Sequence, residues 1–278
     1  MSDLRIGGLV LVSTPIGNLG DLSPRAVDTL AGVDIVACED TRRTGRLLQH
    51  VGVEGARLLR VDAHTEDRAA ARIVAHLDEG RTVAMVTDAG TPGISDPGER
   101  LVRRVIQAGH RVSVVPGPVA PVAALVASGM PTDRWCMEGF LPRKGVARAE
   151  RIAELAAEER TVIILESPRR LVATLSDLAR ALDGDRPVAV ARELTKRHEE
   201  VWRGTLATAV ERYTEAPKGE VVVVLAGSPP AAEANDKRIL TVIDEARRGG
   251  ASTRDAADEA ARRLGVSRRR SYRLALGD

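Results

Sequence analysis

The chain has 278 residues, 44% hydrophobic and 29% charged, with 41 Lys/Arg against 39 Asp/Glu. That balance excludes a disordered or collagen-like chain, and the length suits about two domains at roughly 100–200 residues each. No stretch approaches the ~20 uncharged apolar residues of a transmembrane helix, and Met1 to Arg5 lead into a short apolar run with no signal-peptide pattern.

Cys38 and Cys136 are the only cysteines, too few for a disulfide framework or a Cys-rich zinc site. A cytoplasmic protein with no membrane partner is the expectation. The charge is uneven. Residues 236–278 hold 11 Lys/Arg against 7 Asp/Glu, a net +4, which leaves −2 for the rest. Arg262, Arg263, Arg268, Arg269, Arg270 and Arg273 have no acid among them. A basic terminal segment suits a polyanion. A solvated helix surface is the alternative, because this chain uses arginine by default and has lysine only at positions 144, 196, 218 and 237.

Short β-branched runs alternate with amphipathic stretches. Strands are predicted at 8–12, 34–37, 57–61, 82–87 and 111–115, with helices at 23–31, 65–79 and 96–108 between them. Ser23-Pro24 and Asp96-Pro97 each place a capping side chain before a proline, and Glu99 completes a capping box with Asp96. This alternation predicts an α/β domain with a largely parallel sheet. The Pro-rich segment 116–121 reads as a hinge into a small-residue helix at 122–127. A second α/β set follows, with strands at 162–165, 187–191, 200–203 and 220–225 and helices at 148–157, 169–182 and 206–213. Residues 226–236 read as a linker. Helices at 238–248, 253–264 and 267–275 complete the chain, with Thr253 and Ser267 as N-caps and Gly265 just past a helix end.

Four strand ends carry unusual loops. Residues 13–21, Ser-Thr-Pro-Ile-Gly-Asn-Leu-Gly-Asp, suit a ligand loop or a plain structural turn, and match neither dinucleotide nor P-loop fingerprints. Cys38-Glu39-Asp40-Thr41-Arg42-Arg43 is either a helix cap or a polar cluster at a cleft. Residues 86–98 hold three glycines, two prolines, two aspartates and three hydroxyls, which exceeds the needs of a connector. Pro116-Gly117-Pro118 follows the fifth strand. Ligands in open α/β sheets bind at the carboxyl ends of the strands. In the second half, Glu166-Ser167-Pro168-Arg169-Arg170 and Arg192-Glu193-Leu194-Thr195-Lys196 follow strands, and Lys218-Gly219-Glu220 precedes one. They suit phosphate or carboxylate contacts, or solvated turns. The five histidines (50, 64, 76, 110 and 198) lack metal-ligand spacing, so no metal is expected.

Taken together, residues 14–21, 39–42, 88–98, 116–118, 138–142, 192–196 and 218–220 resemble the ribosomal RNA small subunit methyltransferase I family of the tetrapyrrole-methylase superfamily. These are class III S-adenosylmethionine (SAM) enzymes that methylate a cytidine 2′-hydroxyl in small-subunit (16S) ribosomal RNA. The resemblance covers about residues 8 to 228 and continues more weakly through the tail. It implies two α/β domains, 1–117 and 118–228, with the SAM cleft between them, plus a small basic helical domain at 236–278. It implies SAM contacts from Pro15, Asp88, Gly90, Gly93, Ile94, Pro118, Val119, Leu141, Leu194 and Gly219. Glu39, then Lys196, Asp40 and Glu166, are the acid–base candidates, with Asp88 also able to take a proton. Arg42, Arg169, Arg170, Arg192, Arg268, Arg269 and Arg270 are the candidate RNA contacts. The implied partners are small-subunit ribosomal RNA, in the assembled subunit, and a second copy of the chain. Leu165 and Arg169 depart from the family, which usually has Tyr and His there. The rival readings are a methyltransferase of small, tetrapyrrole-like molecules, a non-catalytic RNA-binding protein, and a DNA regulator using a helix-turn-helix tail.

Overall fold

The computed structural model describes residues 7–61, 66–229 and 234–277. His64 and the expected helix start at Thr65 lie outside the described residues. The chain divides into two compact units, Met1–Gly227 and Ser228–Asp278.

The first unit begins with β1 (Gly8–Val12), α1 (Pro24–Gly32), β2 (Ile35–Cys38), α2 (Thr41–His50), β3 (Leu58–Arg60), α3 (Glu66–Asp78), β4 (Val83–Met85), α4 (Glu99–Gln107) and β5 (Arg111–Val115). The five strands form one sheet in the order β3-β2-β4-β1-β5, and every pairing is parallel. The apolar runs are near-continuous because both faces are covered. Leu9, Ile35, Val83 and Met85 pack under α3 and α4, while Val10, Val12, Val36 and Ala84 pack toward α1 and α2. Ser23 caps α1 as expected, accepting from the Ala26 N–H.

The expected capping box at Asp96 and Glu99 does not form. The α4 helix starts later, behind Gly98, whose φ of 145° only glycine adopts freely, and that residue offers no side-chain cap. The cap comes from elsewhere in the fold. Buried Glu66, in the first turn of α3, accepts from the backbone N–H of Gly98 at 3.0 Å and of Leu101 at 3.1 Å. A sequence window cannot show a cap delivered from another helix.

After β5 the chain continues with α5 (Ala120–Ser128), β6 (Trp135–Phe140), α6 (Val146–Ala156), β7 (Thr161–Glu166), α7 (Pro168–Ala181), β8 (Pro187–Arg192), β9 (Glu200–Thr205), α8 (Leu206–Arg212) and β10 (Val221–Leu225). The second sheet runs β6-β7-β10-β8-β9. Only β6 and β7 are parallel; the other three pairings are antiparallel. Its core on one face comes from α6, α7 and α8. On the other, Ala124 and Leu125 of α5 pack against Ile163, Ala189, Ala191 and Val224. The expected hinge thus delivers α5 onto the second sheet. Strand β6 is absent from the expected elements. Its residues do not alternate, and it breaks register between Met137 and Gly139, where Gly139 takes φ 64°.

The second unit holds α9 (Asp236–Arg248), α10 (Thr253–Leu264) and α11 (Arg268–Leu276). Ile239, Val242, Ile243, Ala256, Ala260 and Ala275 form its core. Gly265 ends α10 in the left-handed conformation, and Ser267 caps α11 as expected. The α10 cap is Ser252 rather than Thr253, because the Ser252 hydroxyl reaches the Asp255 N–H. No helix among the described residues is long and apolar enough to cross a membrane.

Glu66→Ala leaves two backbone donors beneath α4 without their acceptor. It is expected to destabilise the protein by about 1–3 kcal/mol, read from urea denaturation.

Candidate active site

Because the first sheet is wholly parallel, the carboxyl ends of its strands share one edge. Across that edge stand Glu39–Asp40 after β2, Thr87–Asp88 after β4, Ser13–Thr14 after β1 and Pro116–Pro118 after β5. Hydrogen bonds knit the last three together. Thr14 N–H donates to the Gly90 carbonyl at 2.8 Å, and Gly90 N–H returns a bond at 3.1 Å. Thr14 Oγ1 donates to the Thr87 carbonyl at 3.0 Å. The Ser13 hydroxyl lies 2.8 Å from the Thr91 hydroxyl, which donates to the Pro118 carbonyl at 3.2 Å. Two glycines permit this. Gly90 sits at φ 89°, and a Cβ on Gly117 would lie 2.8 Å from Ser13 Cβ.

A cleft of about 370 Å³ opens beside this knot. It is lined by Thr14, Pro15 and Leu19 of the β1 loop, by Thr87 and Asp88, and by Arg43, Arg46, Leu47 and His50 of α2. Arg43 belongs to the stretch that the sequence offers as a polar cluster at a cleft, whereas Arg46, Leu47 and His50 are absent from the sequence-derived site candidates. The spacing of the four, i, i+3, i+4 and i+7, marks one helix face and was the available signal. Asp88 faces both ways. One carboxylate oxygen lies 3.4 Å from Arg43, while the other is buried with no hydrogen-bond partner among the described residues. Burial, with Asp88 nearby, pushes the Asp96 carboxyl above its usual range.

Of the acid–base candidates, Asp40 is the N-cap of α2. Its bonds from the Arg42 and Arg43 N–H groups hold its carboxyl below the usual range. Glu166 is buried and accepts from Thr174 Oγ1 at 2.6 Å and Ser167 N–H at 2.8 Å, with Arg170 at 3.2 Å. It therefore acts as an anchor between β7 and α7. Lys196 is tied to Glu193 at 2.8 Å and Glu220 at 2.9 Å. Burial alone would lower its pKa, but those two bonds outweigh burial and leave it raised. An ammonium held charged in this way is a poor proton acceptor, so Lys196 fits a positioning role. Glu39 stands half-buried at the β2 end, adjacent to the β4 end that carries Asp88.

The Glu193–Lys196 turn is strained. Glu193 and Thr195 hold φ 51° and 65°, where β-branched residues are rare. It abuts the β1 loop. A Cβ on Gly17 would lie 2.4 Å from Lys196 Cγ and 3.1 Å from the Leu194 carbonyl. Leu194 is thereby brought beside the first-sheet loops, where Pro15, Gly90, Gly93, Ile94, Pro118 and Val119 already stand. Gly219, at φ 93°, leaves room for the Glu193 side chain, and Leu141 is buried in the second-sheet core. Packing accounts for both of these. Among the arginines, Arg42 and Arg169 are exposed. Arg170 donates to the Leu141 carbonyl at 2.8 Å, and Arg192 to Glu200 and the Lys218 carbonyl. Arg268, Arg269 and Arg270 lie in the second unit.

This is the loop architecture of an enzyme that binds a ligand over glycine-rich strand ends, and comparison with known proteins agrees. Residues 8–210 match the family described as Tetrapyrrole (Corrin/Porphyrin) Methylases. The chain belongs to this family and, within it, to the line of the ribosomal RNA small subunit methyltransferases I. A curated protein of that name from Synechocystis sp. is 44% identical over 98% of both chains. Another from Xylella fastidiosa is 50% identical over 80% of this chain and 82% of its own. Among solved structures, the methyltransferase CobJ aligns with a TM-score of 0.61 at 20% identity, covering 80% of this chain and 94% of its own. The uroporphyrin-III C-methyl transferase from Thermus thermophilus, complexed with S-adenyl homocysteine, aligns at 0.54 and 19%, covering 78% and 97%. Those two show the fold.

The Lys196 pairing has a defined pH signature. Hydrogen bonding to Lys196, above all, lowers the Glu193 pKa. Its contribution is present above the ordinary glutamate value of about 4.3 and is lost as the pH falls through the lowered one. The stability gap between wild type and Lys196→Met is therefore expected to shrink from about pH 7 to about pH 3, measured by urea denaturation at each pH.

Proposed function

We propose that the protein transfers a methyl group from SAM to the 2′-hydroxyl of a cytidine in small-subunit ribosomal RNA. The observation that carries this reading is the near full-length, 44% identical match to the Synechocystis ribosomal RNA small subunit methyltransferase I, in a chain whose β1, β4 and β5 loops meet at one sheet edge.

The residues fit the cofactor. Gly90 and Gly93 hold positive φ and keep backbone close to the edge, and Asp88 keeps one buried carboxylate oxygen without a hydrogen-bond partner among the described residues. Pro15, Asp88, Gly90, Gly93, Ile94, Pro118, Val119 and Leu194 would hold SAM. Bound SAM supplies an electrophilic methyl on a sulfonium. The chain's own residues must bring a weak hydroxyl nucleophile into line and accept or share its proton. Positioning supplies much of such an acceleration. Asp88 and Glu39, at the ends of adjacent strands, are the proton acceptors in this reading. Arg43 and Arg46 on the cleft-lining face of α2 are placed for phosphates flanking the target ribose, together with exposed Arg42. The strained turn at Glu193–Lys196 fixes the second-sheet wall against Gly17.

The assembled small subunit is the substrate in this reading, in the cytoplasm. The enzyme works as a homodimer. Support for the dimer comes from edge strand β5, where Arg111, Ser113 and Val114 are exposed, and from exposed Val122 and Val126 of α5 and Trp135 and Phe140 of edge strand β6.

Labelled SAM incubated with small subunits lacking the modification is expected to give label in 2′-O-methylcytidine after nucleoside digestion. Label elsewhere, or none, would sink the reading. Asp88→Asn is expected to lower kcat by about 10²-fold or more, with the fold kept, as measured by single-turnover methyl transfer and circular dichroism. Unchanged turnover would remove Asp88 from proton chemistry.

A further inference from the structure

The second unit carries a feature that the run of three consecutive arginines obscures. Arg268, Arg269 and Arg270 do not share an environment. Arg268 is paired with Asp258, its Nε 2.8 Å from Oδ1. Arg270 is only partly exposed and is held by Asp236 through Nε at 3.1 Å and a terminal nitrogen at 2.8 Å. Arg263 likewise stands between Glu245 and Glu259. These arginines tie α9, α10 and α11 to one another.

The outward face of α11 is different. Ser271 and Ala275 face the core, so Arg269, Tyr272, Arg273 and Leu276 fall together on the opposite side, at i, i+3, i+4 and i+7. All four are exposed, Tyr272 to 43% and Leu276 to 56%. No hydrogen bond or ion pair holds the Arg269 or Arg273 guanidinium among the described residues. The tyrosine is informative because aromatics are scarce in this chain. It has two tyrosines, and the other, Tyr213, is buried in the second-sheet core.

We propose that the Arg269–Tyr272–Arg273 face of α11 is a contact for single-stranded RNA, with the Tyr272 ring stacking on an unpaired base and the two arginines on flanking phosphates. The inference rests on the RNA-substrate reading above and assigns it a surface. Charge complementarity selects the occupant. Four of the unit's seven acids, Asp236, Glu245, Asp258 and Glu259, pair with Arg263, Arg268 and Arg270, and Arg269 and Arg273 on the outward face of α11 have no carboxylate partner among the described residues. An exposed aromatic between two free guanidiniums matches how proteins hold unstacked RNA bases. A phosphate-only surface would not need the ring.

The test uses the full chain and a fluorescein-labelled single-stranded oligoribonucleotide, with fluorescence anisotropy across a salt series. Tyr272→Ala is expected to weaken binding about tenfold with the salt slope unchanged, and Tyr272→Phe to restore it, since stacking needs the ring and not the hydroxyl. Arg269→Gln with Arg273→Gln is expected to reduce the slope of log K against log salt by about 1.4, near 0.7 per phosphate contact. Arg268→Gln should leave the slope as in wild type. Wild-type affinity in Tyr272→Ala, or an equal loss on duplex RNA or duplex DNA of the same sequence, would overturn the proposal. Methyl transfer to small subunits by the wild-type chain separates the two readings. If transfer fails but the α11 variants still lose single-strand binding, the enzyme reading falls and this surface stands. If transfer succeeds and the variants bind and methylate as wild type, this surface falls alone.

Discussion

The pair of backbone hydrogen bonds between Thr14 and Gly90 is the constraint on which the rest of the site depends. It joins the loops after β1 and β4 as a short antiparallel bridge beyond the end of a parallel sheet. Once that bridge is closed, Ser13 reaches Thr91, Thr91 reaches Pro118, and three loops behave as one surface. The bridge demands small residues where backbones meet. Gly90 and Gly117 supply them, and Gly17 does the same where the second-sheet turn arrives. A sheet whose strands all run one way puts these loops on one edge by necessity, so topology and close packing together create the cleft.

Several of the charged groups at strand ends and helix starts hold the fold. Asp40 satisfies the start of α2, Glu66 the start of α4, and Glu166 the start of α7. Lys196 neutralises two glutamates around a turn that two left-handed non-glycine residues would otherwise disfavour. Buried donors cost more when orphaned than a bond gains when made, so acids are spent where helices begin under a loop. What remains for chemistry is narrower than the composition suggests: Asp88, with a buried oxygen that has no hydrogen-bond partner among the described residues, beside the carboxyl end of β2. The same division runs through the helical unit. There acids bind the arginines that hold helices together, while Arg269 and Arg273 stand exposed on the outward face of α11.

The sequence by itself determined the order of most elements, because apolar runs with turn chemistry between them admit few other foldings. Strands β1 and β5 fall where their β-branched runs lie, and α10 spans the residues that its periodicity marks. The glycine- and proline-rich loops announced a ligand edge for the same reason: such residues are needed only where backbone must bend or approach closely. Strand β6 stayed hidden because a bulged edge strand lacks the alternation that marks a strand. Only the tertiary structure decided which side chains are free. The Asp96 cap was displaced by Glu66 from a helix 32 residues away, the α2 face of Arg43, Arg46 and His50 became a cleft wall, and one of three adjacent arginines was left without an ion-pair partner among the described residues. Those outcomes turn on distances between residues far apart in the chain, and local propensity carries no information about them.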